Sequence, residues 1–304
     1  MKKISNLLIM ALLTIGMGLT SCEGALDDIL GEWSRPTPGN VTPTVEDIIK
    51  YGFKVTDLAG VDRTEVVTSL KMSNEDGSQV VEAEVSDGKI TIKNTDLTAA
   101  SITAAADFWF EAEIDGKPYV AKVNIDPTTL SPETDKTLEM ATLGDVILSD
   151  GKFAAPSSTG TKVAMIAYLG NGSECNHGLA IQLKATPASM SWSDACNYSS
   201  YPSITDSPGT WRLPSKADWQ NMFVGCAKDG DDSDASDNSL NPIAGFKEKI
   251  DATGIYWFSN TYWSSTDSGS NPWHVTVILS GGNAYADFGD APSNTYYVLG
   301  CLAF

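Results

Sequence analysis

Five cysteines, two histidines and one run of aspartates are the residues of this 304-residue chain whose types could do chemistry. A nucleophilic cysteine needs a base, and only His177 or His274 could serve, each only where the fold carries it to a thiol. Cys22 stands alone near the start, while Cys175, Cys196, Cys226 and Cys301 form an even set in the later part of the chain. In an exported protein an even set favours disulfides, and three pairings are possible. The aspartates Asp229, Asp231, Asp232, Asp234 and Asp237 crowd a single loop. Alternating carboxylates suit Ca²⁺, which takes roughly six to eight oxygens, so calcium is a candidate cofactor here. The EF-hand spacing fails, because no glycine stands at loop position six and no glutamate at twelve. A solvated acidic loop without metal is the plainer reading.

Charge narrows the classes further. The chain carries 39 acidic against 20 basic side chains, a net charge of −19, so a phosphate backbone repels it and nucleic acid is excluded as a partner. With 42% apolar and 19% charged residues it can bury real cores. Two histidines leave little material for histidine-based zinc or acid–base chemistry, and a non-catalytic role is expected.

The first 22 residues read as an address. Lys2 and Lys3 form a positive start, and Leu7 to Leu19 is an apolar run of about 13 residues, shorter than the roughly 20 a membrane span needs. The run ends in Leu19-Thr20-Ser21-Cys22, small residues before a cysteine, which fits a lipobox that places a diacylglyceryl group on the Cys22 thiol. Several acyl chains on one cysteine anchor a protein stably to a membrane. Residues 23–43, with Pro36, Pro38, Gly39 and Pro43, read as an extended tether. Glu23, Asp27 and Asp28 follow the lipobox and loosely resemble the acidic export signal of Bacteroidetes surface lipoproteins. The expected location is the outer membrane, lipid-anchored and exposed on the surface.

Residues 44–127 show a period of two. Val66 to Met72, Val80 to Val85, Ile90 to Ile92, Phe108 to Ile114 and Tyr119 to Ile125 are short β-prone runs, and Asp87-Gly88 and Asp115-Gly116 mark tight turns. Trp109, Glu111 and Glu113 alternate with Phe108, Phe110 and Ile114, as expected of a strand with one wet face. This many short strands predicts an immunoglobulin-like β-sandwich acting as a spacer. Residues 128–143, with Pro127 and Pro132 around their start, read as a linker.

Residues 144–304 have a different texture and form the second of two domains, an α+β one. Ser191-Trp192-Ser193-Asp194 and Ser215-Lys216-Ala217-Asp218 are capping boxes that open helices, the second with Trp219, Met222, Phe223 and Cys226 on one face. A third helix is predicted around Ile243 to Ile250, ended by Gly254, and the remainder is β. The ordered set Gly144-Asp145-Val146, His177-Gly178-Leu179-Ala180, Ser191-Trp192-Ser193-Asp194-Ala195, Trp211-Arg212-Leu213-Pro214-Ser215 and Tyr262-Trp263-Ser264-Ser265-Thr266, with a terminal cysteine strand, resembles the Fibrobacter major paralogous domain family.

That resemblance implies a C-type-lectin-like fold carried on a surface lipoprotein. It also implies a disulfide from the first helix to the last strand, Cys196 to Cys301, which leaves Cys175 and Cys226 as the second pair. Trp211, Trp219 and Trp263 lie inside the matching motifs and are read as core. The loop that holds calcium and sugar in lectins of this fold shrinks here to Asp267–Pro272 and lacks their motifs, so any glycan binding is expected to be calcium-free. The candidate ligand face is formed by the loops Asp267–His274 and Asp290–Tyr297. Trp273 and Tyr296 would be its stacking rings, with Asn271, His274 and Asn294 as neutral hydrogen-bonding groups. Trp273 could instead pack at the start of its strand. The expected function is adhesion to, or capture of, a glycan or protein ligand. A structural subunit of a surface assembly, such as a fimbrial tip, is the alternative.

Overall fold

Two Asp-Gly pairs set the first sheet. Asp87-Gly88 has φ of 51° and 70°, and Asp115-Gly116 has φ of 50° and 70°. Positive φ at both central residues is what a type I′ turn requires, and its twist matches that of the strands it joins. The computed structural model describes residues 48–172, 175–255, 259–269, 271–280, 283–290 and 294–304. Cys22, the tether at 23–43, Trp257 and the Gly281-Gly282 turn lie outside them.

The chain is rich in β-structure arranged in large sheets. The first sheet is built from β1 (Lys50–Asp57), β2 (Val67–Ser73), β3 (Val80–Glu82), β4 (Glu84–Ser86), β5 (Lys89–Lys93), β6 (Ala106–Ile114), β7 (Lys117–Ile125) and β8 (Lys136–Thr142). Their order is β3-β2-β6-β7-β8-β1-β5-β4. A short helix, α1 (Asn94–Ala99), follows β5. Strand β8 lies inside the segment 128–143 that its prolines mark as a linker. It runs parallel to β1 from Lys136 to Met140 and then pairs with β7 at Ala141 and Thr142. It therefore joins the two halves of the sheet, and residues of both halves share one apolar cluster, including Phe53, Ile90 and Leu138 with Leu70, Met72 and Phe110. The Phe53 and Phe110 rings meet at 5.8 Å.

The later part holds two smaller sheets. One is β10-β9-β11-β12-β18-β13, from β9 (Val146–Leu148), β10 (Phe153–Ala154), β11 (Lys162–Leu169), β12 (Gly178–Gln182), β13 (Thr210–Arg212) and β18 (Cys301–Ala303). The other is β14-β17-β16-β15, from β14 (Ser239–Leu240), β15 (Asn260–Asp267), β16 (Pro272–Ser280) and β17 (Asn283–Asp290). Helix α2 (Trp192–Cys196) follows β12, α3 (Lys216–Gly225) follows β13 and α4 (Ala244–Ala252) follows β14.

Both predicted caps form. Ser191 Oγ accepts from the Asp194 amide, and Ser215 with Asp218 makes a complete reciprocal capping box at α3. Asp218 also pairs with Arg212, whose Nη2 donates to Oδ1 at 2.9 Å, so a buried carboxylate has a charge partner and backbone donors together. Trp219, Met222, Phe223 and Cys226 are all buried, as the periodicity requires, and they pack with Phe246, Ile250, Val275 and Val277. Ile48–Phe304 forms one compact unit. Its earlier and later sheets meet in a seam at Trp109, which is fully buried rather than on a wet face. The indole lies stacked on His177 at 4.6 Å and on Phe304 at 5.3 Å. Of the residues predicted to face water, Glu113 does so and Glu111 is half-buried.

Candidate functional site

The predicted ligand face divides in two because successive residues of a strand point to opposite sides of the sheet. On β16, Val275 and Val277 are buried against the helices, and Trp273 packs against that same cluster. The Lys216 ammonium sits 3.9 Å above the Trp273 ring, so this tryptophan is a lid on the core rather than an open stacking face. His274 points the other way. It pairs across to Trp263 on β15 and to Gly289 on β17. Its ring occupies the space over Gly289, where an added Cβ would meet His274 Cε1 at 3.0 Å.

On the His274 side three of the five predicted residues come together. The His274 and Tyr296 rings meet at 4.9 Å, and Tyr296 lies 4.6 Å from the buried Trp263 ring. Asn294 Nδ2 donates to the Tyr296 hydroxyl at 2.8 Å. The backbone beneath is held firmly. Tyr296 and Met190 exchange both backbone bonds, at 2.9 and 3.1 Å, and the Trp263 indole donates to Met190 O at 2.8 Å. Trp192 Nε1 donates to Ser264 O at 2.8 Å, tying α2 to β15. Asn294 is exposed, while Tyr296 and His274 are half-buried. Asn271 closes the neighbouring turn, where Ser268 Oγ donates to its carbonyl at 2.6 Å. No bond joins Asn271 to the Tyr296 group among the described residues.

The cysteines are placed as follows. The Cys196–Cys301 bond implied by the resemblance is not formed, and neither is Cys175–Cys226. Cys196 is exposed at the end of α2, and Cys301 is buried where β18 begins. Tyr201 is near both: burial chiefly, then Cys301, Tyr198 and Cys196, push its phenol well above the ordinary range. Partial burial of this otherwise exposed residue, followed by the nearby Asp267, raises the Cys196 thiol. Burial pushes Cys226 up to about 12, and that thiol donates to Ala167 O at 3.3 Å. Both thiols therefore stay protonated at neutral pH, a poor state for a nucleophile.

The aspartates of the 229–237 loop serve the backbone. Asp231 accepts from the amides of Ala244 at 3.1 Å and Gly245 at 2.6 Å, holding the start of α4. Asp232 accepts from Asp234 N at 3.1 Å, and Asp234 from Ser236 N at 2.9 Å. Asp237 offers its carbonyl to Gln220 at 2.7 Å, and Asp229 is exposed. Among the described residues no group of three His, Cys, Asp or Glu side chains could hold a metal ion.

One cluster was missed by sequence reasoning. His177 Nδ1 lies 2.6 Å from Glu111 Oε1, and Lys71 Nζ reaches Glu111 Oε2 at 2.8 Å. Burial opposes ionisation of Glu111, but the bonds from His177 and Lys71 outweigh it and hold the carboxyl below its ordinary range. His177 is 2% exposed, so this network belongs to the seam. The only sequence signal for it was the alternation of β6, and its partner stands 66 residues away. Comparison with protein-family models, with curated proteins and with solved structures finds no match for this chain.

Proposed function

We propose that this chain is a lipid-anchored protein of the outer membrane surface that binds a glycan, without calcium and without catalysis, on the face of His274, Asn294 and Tyr296. The observation that carries the reading is the Tyr296 group itself. A half-buried phenol packs against Trp263, tilted at 57° with centroids 4.6 Å apart, and carries an exposed amide on its hydroxyl at 2.8 Å. Sugars are recognised by a flat apolar face together with neutral donors and acceptors, and these residues supply both on a rigid backbone. The anchor is supported by Lys2, Lys3, the apolar run and Leu19-Thr20-Ser21-Cys22.

An immunoglobulin-like reading of residues 44–127 is supported by the two halves of the first sheet enclosing one cluster. A C-type-lectin-like reading of 144–304 is supported by the order of helices and strands and by the terminal strand β18 lying between β12 and β13.

The test uses the full chain made soluble by Cys22→Ser, applied to a glycan array with calcium and again with a chelator. The same glycan retained under both conditions, and lost in His274→Ala, is the expected result. Binding abolished by the chelator would move the site to the aspartate loop. A ladder of higher-order assemblies with no glycan retained would replace this reading with that of a structural subunit.

A further inference from the structure

Tyr297, the neighbour of Tyr296, lines a separate cleft of about 970 Å³ between the start of β11, the segment after β12 and the start of β15. Its walls are apolar, formed by Leu183, Pro202, Ile255 and Leu299 with the rings of Tyr262 and Tyr297. The volume falls within the range of small-molecule sites, about 300–1,000 Å³, and so does the mostly apolar lining with a few polar groups. The charges at the cleft are one-sided. Lys162 and Lys184 line it, and no carboxylate does among the described lining residues. That runs against a composition of 39 acidic to 20 basic side chains.

Lys162 is fixed in place, donating to Pro156 O at 2.5 Å and to Thr253 O at 2.7 Å. An ammonium carries three donors, so one remains for a ligand. Lys184 is exposed near the start of the segment that follows β12. Thr186 is already occupied, donating to Ala188 O at 3.0 Å and accepting from Val298 N at 3.0 Å. The charge left for recognition is therefore positive and sits beside apolar walls.

We propose that this cleft binds a small organic acid, an apolar ring or short acyl body carrying one carboxylate or sulfonate, with its anion at Lys162 and Lys184. The site is independent of the Tyr296 face, and failure of either leaves the other standing.

The test titrates the full chain, solubilised by Cys22→Ser, with anilinonaphthalene sulfonate and with its uncharged analogue N-phenylnaphthylamine. The sulfonate should saturate at one molecule per chain. Lys184→Glu, at an exposed position, should weaken the sulfonate at least about five-fold and leave the uncharged dye unchanged. Ala185→Trp, which fills the cleft, should remove both while circular dichroism stays native. Absence of saturable sulfonate binding, equal affinity in Lys184→Glu, or unaltered binding in a folded Ala185→Trp would each overturn the assignment.

Discussion

The seam at Trp109 and the face at Tyr296 are made of the same parts, an aromatic ring, a histidine and a hydrogen-bonding neighbour, and they differ in what covers them. At the seam the imidazole stacks at 4.6 Å, its Nδ1 meets a carboxylate at 2.6 Å, and a second ring stacks on the indole at 5.3 Å. At the face the imidazole meets its ring at 4.9 Å, the neighbour is a neutral amide, and that amide is exposed. A carboxylate that meets the imidazole inside a closed stack ties two regions together, because removing the imidazole takes a bond from a half-buried charge. A neutral neighbour at an open, tilted ring pair can exchange its bond with water or with a ligand at little cost.

The largest effect should come from the seam. Trp109→Ala deletes a fully buried indole that touches both regions, and such deletions cost about 3–5 kcal/mol. Denaturant unfolding should show this loss in one cooperative transition. A cost below about 1 kcal/mol would mean that the two regions hold without the stack.

Asp145 measures how dry the junction between β8 and β9 is. Burial raises its carboxyl from 3.8 to about 6, against the Thr142 amide, which donates to it at 2.8 Å, and against Lys249 nearby. A folded-state value above the unfolded one gives stability that is complete below about pH 4 and is lost as pH rises through about 6. Asp145→Asn removes the ionisation and keeps an acceptor for Thr142. The variant should therefore be more stable than the parent at pH 7.5, by on the order of 2–3 kcal/mol, and the difference should vanish near pH 4. Melting temperatures of both proteins across that range read the crossover. A constant difference would show that solvent reaches the carboxylate.

A smaller effect is expected where the scaffold meets the open face. Ser215 caps α3, and the adjoining residues reach β15 through Lys216 N to Thr266 Oγ1 at 2.9 Å and Ser265 N to Pro214 O at 2.8 Å. Ser215→Ala should cost about 1 kcal/mol of stability and leave ligand affinity unchanged. A parallel loss of binding would mean that the helix start orients the face directly.

What was legible in the chain was local. The Asp-Gly turns, both serine caps, the apolar side of α3 and the stop at Gly254 (φ 72°) each rest on residues within a few positions of one another. What was not legible depends on distant partners. β8 reads as a connection because Pro127 and Pro132 precede it, and its parallel partner β1 lies more than 80 residues earlier. Trp109 reads as facing water because alternation identifies two faces but not what covers the second. The residues that cover it, His177 and Phe304, flank β12 and β18 of the second sheet. Trp273 was an open choice, decided by Lys216 from a different element. Of the ligand face, Asn294 and Tyr296 follow β17 and reach His274 through isolated bridges, Tyr296 to Met190 and Tyr297 to Tyr262, which no local pattern reveals. The separation of Trp273 from His274 follows from the strand period of β16.

Tyr296→Phe should have the smallest effect on stability and sharpens the comparison most. It keeps the ring on Trp263 and the contact with His274, and it removes one hydroxyl that accepts from an exposed amide. An exposed neutral bond contributes little to folding, so the melting temperature should move by an amount corresponding to less than about 0.5 kcal/mol. Affinity for a glycan identified on the array should fall about 3- to 10-fold, the worth of a single neutral hydrogen bond to ligand, while binding of the sulfonate dye stays as it was. The alternative is that the hydroxyl is part of the scaffold and Asn294 depends on it for position. Tyr296→Phe would then lower stability by 1 kcal/mol or more, on the order of a buried bond, without a matching change in affinity. That result would make the Tyr296 group a second, looser seam and end its candidacy as a recognition face.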